Sequence, residues 1–155
     1  CMIMCIDMEK EWFLFKIKSE FTVITYDKDC SIVTRELNID PSRCFNKGDK
    51  VISKYSPTVS IRPHGLWAIN TGPIIEKEVN ISEHIKYYQE LLGSKIEVIE
   101  KLKVHYQFEC IFKLTIETDD AGVWVDFSSK ELSFITQICS RYSCSLLVTE
   151  QVNNS

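Results

Sequence analysis

The residues with most chemistry to offer stand close together late in the chain. Tyr106, Phe108, Cys110, Phe112, Leu114 and Ile116 alternate strictly with Gln107, Glu109, Ile111, Lys113, Thr115 and Glu117. That is the pattern of a half-buried strand, with one row on a core and the other towards water. Asp119-Asp120-Ala121-Gly122 has turn chemistry. Val123, Val125 and Phe127 then alternate with Trp124 and Asp126. Taken as an antiparallel hairpin, the two strands bring Trp124 and Asp126 beside Thr115 and Glu117. The outward surface then carries Glu109, Glu117, Asp119, Asp120 and Asp126 around one indole. An aromatic anchor ringed by acids suits a basic protein partner. The plainer account is a solvated sheet face whose tryptophan packs on a neighbouring element.

A second cluster is basic. Arg43, Lys47, Arg62 and His64 have the donors for a small anion. No glycine-rich phosphate loop leads into a helix there, and Lys47-Gly48-Asp49 reads more simply as a turn with a positive-φ glycine. Trp67 reads as core or interface filler.

Catalytic patterns are missing from the sequence: it has no G-x-S-x-G elbow, P-loop or H-E-x-x-H helix. Cys110 and His105 differ in parity, so on one strand they would point to opposite faces. His64, His84 and His105 fall in three separate segments, without metal-ligand spacing. The seven cysteines are odd in number and include no C-x-x-C pair. Cys110, in an alternating apolar run, and Cys139, in a helical stripe, read as small buried hydrophobes, and a reducing cytoplasm is the expected compartment, with the oxidation state of the cysteines left open. The reading is therefore a non-enzyme with no metal and no cofactor.

The elements that must position these residues follow from periodicity. Residues 12–18 alternate as a strand, and a second apolar run over 21–26 continues it or pairs with it. Asp29 is placed to cap a short helix over 30–38, which Pro41 stops. Residues 42–63 read as loop, and 65–70 as a short strand ending at Thr71-Gly72-Pro73. Ile81, Ile85, Tyr88, Leu92, Ile96, Ile99 and Leu102 share one helical side, with Asn80 and Glu83 at capping-box spacing and a kink or break at Gly93-Ser94. Ser128 and Glu131 have capping-box spacing ahead of a helix whose buried stripe is Leu132, Ile135, Cys139 and Tyr142, and 144–149 is a closing strand. The expected fold is α+β: a single mainly antiparallel sheet with helices on one face, in the order β-α-β-α-β-β-α-β.

Bulk properties bound the function. With 155 residues, 45% hydrophobic and 26% charged, the chain fits one globular domain. We divide it into an N-terminal lead or expression remnant (1–11), the domain (12–150) and a polar tail (151–155). A net charge of -4 argues against nucleic acid as a partner. No run of eighteen apolar residues exists to span a membrane, and the N-terminus lacks the basic stretch and long apolar core of a signal peptide.

Residues 32–43 (Ile-Val-Thr-Arg-Glu-Leu-Asn-Ile-Asp-Pro-Ser-Arg), Lys47-Gly48-Asp49, Gly65-Leu66-Trp67 and Gly122-Val123-Trp124-Val125-Asp126 resemble the bacterial domain-of-unknown-function family 4279. The likeness extends over roughly residues 12–150, from the opening strand and helix to the long helix and the final helix-strand pair. The resemblance implies no reaction. It implies a setting near secreted toxins, where immunity proteins are expected. The expectation is a cytoplasmic immunity protein that occludes a basic toxin domain through Glu109, Glu117, Asp119, Asp120, Trp124 and Asp126. A small-ligand or anion sensor using Arg43, Lys47, Arg62 and His64 is the alternative.

Overall fold

The computed structural model describes residues 15–72, 80–119 and 124–148. The described part of the first N-terminal run, 15–18, and the second run belong to one strand, β1 (Phe15–Tyr26), so the second continues the first; 12–14 lie outside the described residues. Its odd row from Ile17 to Thr25 is buried, while Lys16, Lys18 and Glu20 occupy the other side. After α1 (Ser31–Leu37) come β2 (Arg43–Phe45), β3 (Lys50–Ile52), β4 (Val59–Ile61) and β5 (Gly65–Asn70). The long helical signal becomes α2 (Ile81–Leu92) and α3 (Ile96–Val104), with a 3-10 turn over Gly93–Lys95 where the Gly-Ser pair interrupts it. The chain closes with β6 (Glu109–Thr118), α4 (Ser129–Ile138) and β7 (Arg141–Val148).

The fold is α+β, with one five-stranded sheet in the order β2-β5-β1-β6-β7 and β3-β4 as a separate pair. β1 pairs antiparallel with β5 and β6, whereas β7 runs parallel to β6. Two expectations are corrected here. The sheet is mixed, and the order gains β2, β3 and β4 within the stretch expected to be loop. The second strand of the 106–127 hairpin does not form among the described residues: 124–128 lie outside the sheet, and Val123 lies outside the described residues. The reason lies in the segment's own apolar residues. Val125 and Phe127 pack against the main core, and the Phe127 ring meets Tyr142 edge-on at 5.9 Å. The Ser128–Glu131 capping box then starts α4 at once, each backbone N–H donating to the other's side chain. A helix inserted between two neighbouring strands returns the chain to its starting end, so β7 joins parallel.

Helices α1 to α4 share one core with the odd row of β1 and the even row of β6, so the expectation of helices on one face holds. Phe108, Cys110, Phe112, Leu114 and Ile116 are buried beneath them. Trp67 is wholly buried, and its indole N–H donates to the Thr34 hydroxyl at 2.9 Å, which docks α1 on β5. Asp29 accepts from the Ser31 N–H at the start of α1, and Asn38 closes that helix in the left-handed region at φ 55°. At α2 the Asn80 side chain accepts from Ser82, not from Glu83 as a capping box would require. In α4 the stripe shifts to Phe134, Ile135 and Ile138, leaving Leu132 exposed; Tyr142, expected in that stripe, belongs to β7.

The fold also settles a pairing that the sequence left open. Cys30, at the start of α1, and Cys44, in β2, form a disulfide with Cα atoms 6.1 Å apart, while Cys110, Cys139 and Cys144 are free thiols. An odd count and absent C-x-x-C spacing hid a pair that the fold juxtaposes when β2 aligns on β5 beneath α1. The Asn46 side chain, accepting from the Cys30 N–H at 2.8 Å, ties the same two elements. Cys44→Ser should lower unfolding stability by about 3 kcal/mol, the loop-closure value for a loop of roughly 15 residues. The urea midpoint reads it. Identical midpoints for oxidised wild type and variant would show that the bond contributes nothing.

Candidate functional site

The outward row of β6 does project away from the helices, but its acids are not free. Glu109 forms an ion pair with Arg141 of β7 at 2.9 Å and accepts from the Tyr26 hydroxyl at 3.1 Å. Glu117 pairs with Lys18 of β1 at 3.0 Å. In the middle of the face, Glu20 meets Arg43 of β2 at 2.8 Å and Lys113 of β6 at 3.9 Å. The strand registers put Lys16, Lys18, Arg43, Lys113 and Arg141 on this face against Glu20, Glu109 and Glu117. Among the described residues bases therefore outnumber acids, which corrects the expectation of an acidic sheet face. Each such half-exposed pair contributes about 0–1 kcal/mol. Collectively they suit one register, because a slip of one residue would move every charge to the helix side.

Not all of the outward row is polar. Ile111, expected outside, is buried with Ile24, Leu66 and Ala68, and Phe45 packs on them. An apolar patch therefore lies beside the Glu20 cluster, on its Glu109 side.

Trp124 and Asp126 stand elsewhere. In the extended segment 124–128 the alternation survives: Val125 and Phe127 face the core, while Trp124 is 77% exposed and Asp126 is exposed. No strand pairing links this segment to β6 among the described residues. Asp119, directly after β6, is half-buried and engaged by a neighbour. Asp120 lies outside the described residues.

The basic candidates are likewise separated. Arg62 lies over the Phe45 ring at 4.0 Å, and His64 makes only a local contact to the Gly65 carbonyl. Gly48, at φ 89°, and Asp49, which accepts from the Asn46 N–H, make the expected turn. Lys47 is exposed on that turn. Arg43 instead joins a concavity of about 420 Å³ with Lys18, Ser19, Glu20, Asn70, Thr71, Lys113 and Thr115. Thr71 is buried, and its hydroxyl has no hydrogen-bond partner among the described residues. The sequence reading missed Lys18 and Lys113 because a base in an alternating strand carries no sign of what lies opposite it.

Two buried features bear on catalysis. The Ser19 hydroxyl and His84 Nδ1 are 2.9 Å apart, and the Tyr88 hydroxyl donates to Ser19 at 3.3 Å. Both Ser19 and His84 are buried, so this pair cross-links β1 and α2 beneath the surface. Burial raises the Tyr88 hydroxyl's pKa and pushes the Cys110 thiol up to about 12. Cys110 therefore stays protonated at neutral pH and is no nucleophile. Among the described residues no group of three His, Cys, Asp or Glu is placed to hold a metal ion. No helix there is long and apolar enough to cross a membrane.

A family model described as "Domain of unknown function (DUF4279)" matches residues 15–148. No curated protein and no solved structure matches the chain.

Proposed function

We propose that this chain, which belongs to the family described as Domain of unknown function (DUF4279), is a non-enzymatic binding protein that neutralises a cognate bacterial toxin by direct contact. The observation that carries the reading is the Trp124 indole, 77% exposed on a segment whose alternate side chains, Val125 and Phe127, are half-buried against the core. A large aromatic held out on an anchored backbone loses little conformational freedom when covered, which is the property of a binding hot spot. Asp126 beside it supplies a charge for a basic partner, and the net charge of -4 favours encounter with one. Glu109 and Glu117 serve the interface less directly than expected, since each already has a base. The compartment in this proposal is the cytoplasm. There the Cys30–Cys44 pair would stand as the dithiol, whereas an oxidising compartment keeps it closed.

Trp124→Ala should weaken toxin binding by about 2 kcal/mol or more, close to thirtyfold, with an unchanged circular dichroism spectrum. Calorimetric titration against the purified toxin domain measures it. Undiminished affinity would remove Trp124 from the contact.

A second reading is an anion-binding sensor, favoured by the concavity of Lys18, Arg43 and Lys113 with the Thr71 hydroxyl, which has no hydrogen-bond partner among the described residues, in its wall. Of the residues anticipated for such a site, only Arg43 lines it. Inorganic phosphate should raise the melting temperature of the wild type and not of Arg43→Ala, because a ligand selective for the native state stabilises it. Equal shifts in both proteins, or none in either, would dismiss this site.

A further inference from the structure

The last strand is the least protected element of the sheet. Among the described residues β7 is bonded to β6 alone, and it runs for eight residues, Arg141–Val148. Sheet edges are usually guarded by charge, proline, bulges or shortness. From Tyr142 to Val148 there is no charge, proline or glycine. Arg141 is already paired with Glu109.

The register with β6 divides the strand by parity. Tyr142, Cys144, Leu146 and Val148 continue the helix-side row of Phe112, Leu114, Ile116 and Thr118, while Arg141, Ser143, Ser145 and Leu147 continue the outer row. Tyr142 is 43% exposed, Leu146 49% and Val148 52%, so the helix-side row is apolar and half in water. Beside it a groove of about 380 Å³ between α4 and β7 is lined by Leu132, Ile135, Cys139 and Tyr142 among others, and Leu132 is itself 48% exposed. One apolar surface therefore runs from helix to strand edge.

We infer that this edge pairs with β7 of a second copy, antiparallel about a two-fold axis, joining two five-stranded sheets into one. The argument for a second copy is self-complementarity. Residues directly opposite each other in a sheet share a face. Reversing β7 with Ser145 on the axis sets Tyr142 opposite Val148 and Cys144 opposite Leu146 of the copy, apolar against apolar throughout the helix-side row. An aromatic opposite a β-branched residue is a favourable cross-strand pair. A slip by one residue leaves Tyr142 opposite an apolar residue, Leu147, but sets Cys144, Leu146 and Val148 opposite Ser145, Ser143 and Arg141. The antiparallel two-fold arrangement also closes on itself, leaving neither β7 edge open. Charge does not oppose the contact, because the edge carries only the neutralised Arg141.

Light scattering coupled to size exclusion tests this. The full chain should have twice the mass of 18.0 kDa at concentrations of about 50 µM and above. Leu146→Lys, placing a charge on a half-exposed apolar position, should return it to the single mass without altering the circular dichroism spectrum. Trp124→Ala, outside the strand, should remain double, so this outcome is independent of toxin binding. A wild type of single mass at about 100 µM, or a double mass that survives Leu146→Lys, overturns the inference. Should the lysine variant fail to fold, amide exchange in wild type decides: β7 amides directed away from β6 exchange slowly in the pair, and fast exchange there rejects it.

Discussion

Everything in this molecule is arranged around one strand that is hydrogen-bonded on both edges and buried on one face. β6 lies between β1 and β7, and its Phe112 and Leu114 sit beneath the helices. Phe112 alone meets Tyr88 of α2 edge-on at 5.4 Å and stacks with Tyr142 of β7 at 6.1 Å. Burial of such a row, at about 25 cal/mol per Å² of apolar surface, is what holds the sheet to the helical layer. Because both edges of β6 are occupied, the residues that follow it have no place beside it. Residues 124–128 lie outside the sheet, and Trp124 is displayed at the surface.

The same constraint explains the outer face. With β1 and β7 locked to either side of β6, and β2 carrying Arg43 to the same face, acids and bases on four strands are brought into fixed opposition and largely cancel. A face that reads as acidic along β6 alone becomes weakly basic once its neighbours are set beside it. In the proposed interface, Asp126 and the net charge of -4 carry more of the electrostatics than this ladder.

Much of the fold was legible because it obeys local periodicity. The even row of β6, the apolar stripe of the long helix, its interruption at Gly93-Ser94, and the Ser128–Glu131 cap are all short-range patterns, and each appears in the structure. What was not legible depends on pairing across distance. Val123, Val125 and Phe127 alternate as a strand would, yet alternation records only which side faces the core. Val125 and Phe127 meet that core without a strand partner. Arg43–Phe45 pairs through only three residues, too few to show a period. The Cys30–Cys44 bond depends on that pairing and was hidden with it. Of the candidate sites, Trp124 was legible as a residue type, but its exposure followed from topology.

The most direct test of this arrangement is amide hydrogen exchange along β6, resolved residue by residue. A strand bonded on both edges protects consecutive amides, so those from 110 to 117 should all exchange slowly. Slow exchange at alternate residues only would mark β6 as an edge strand and contradict the topology on which the exposure of Trp124 depends.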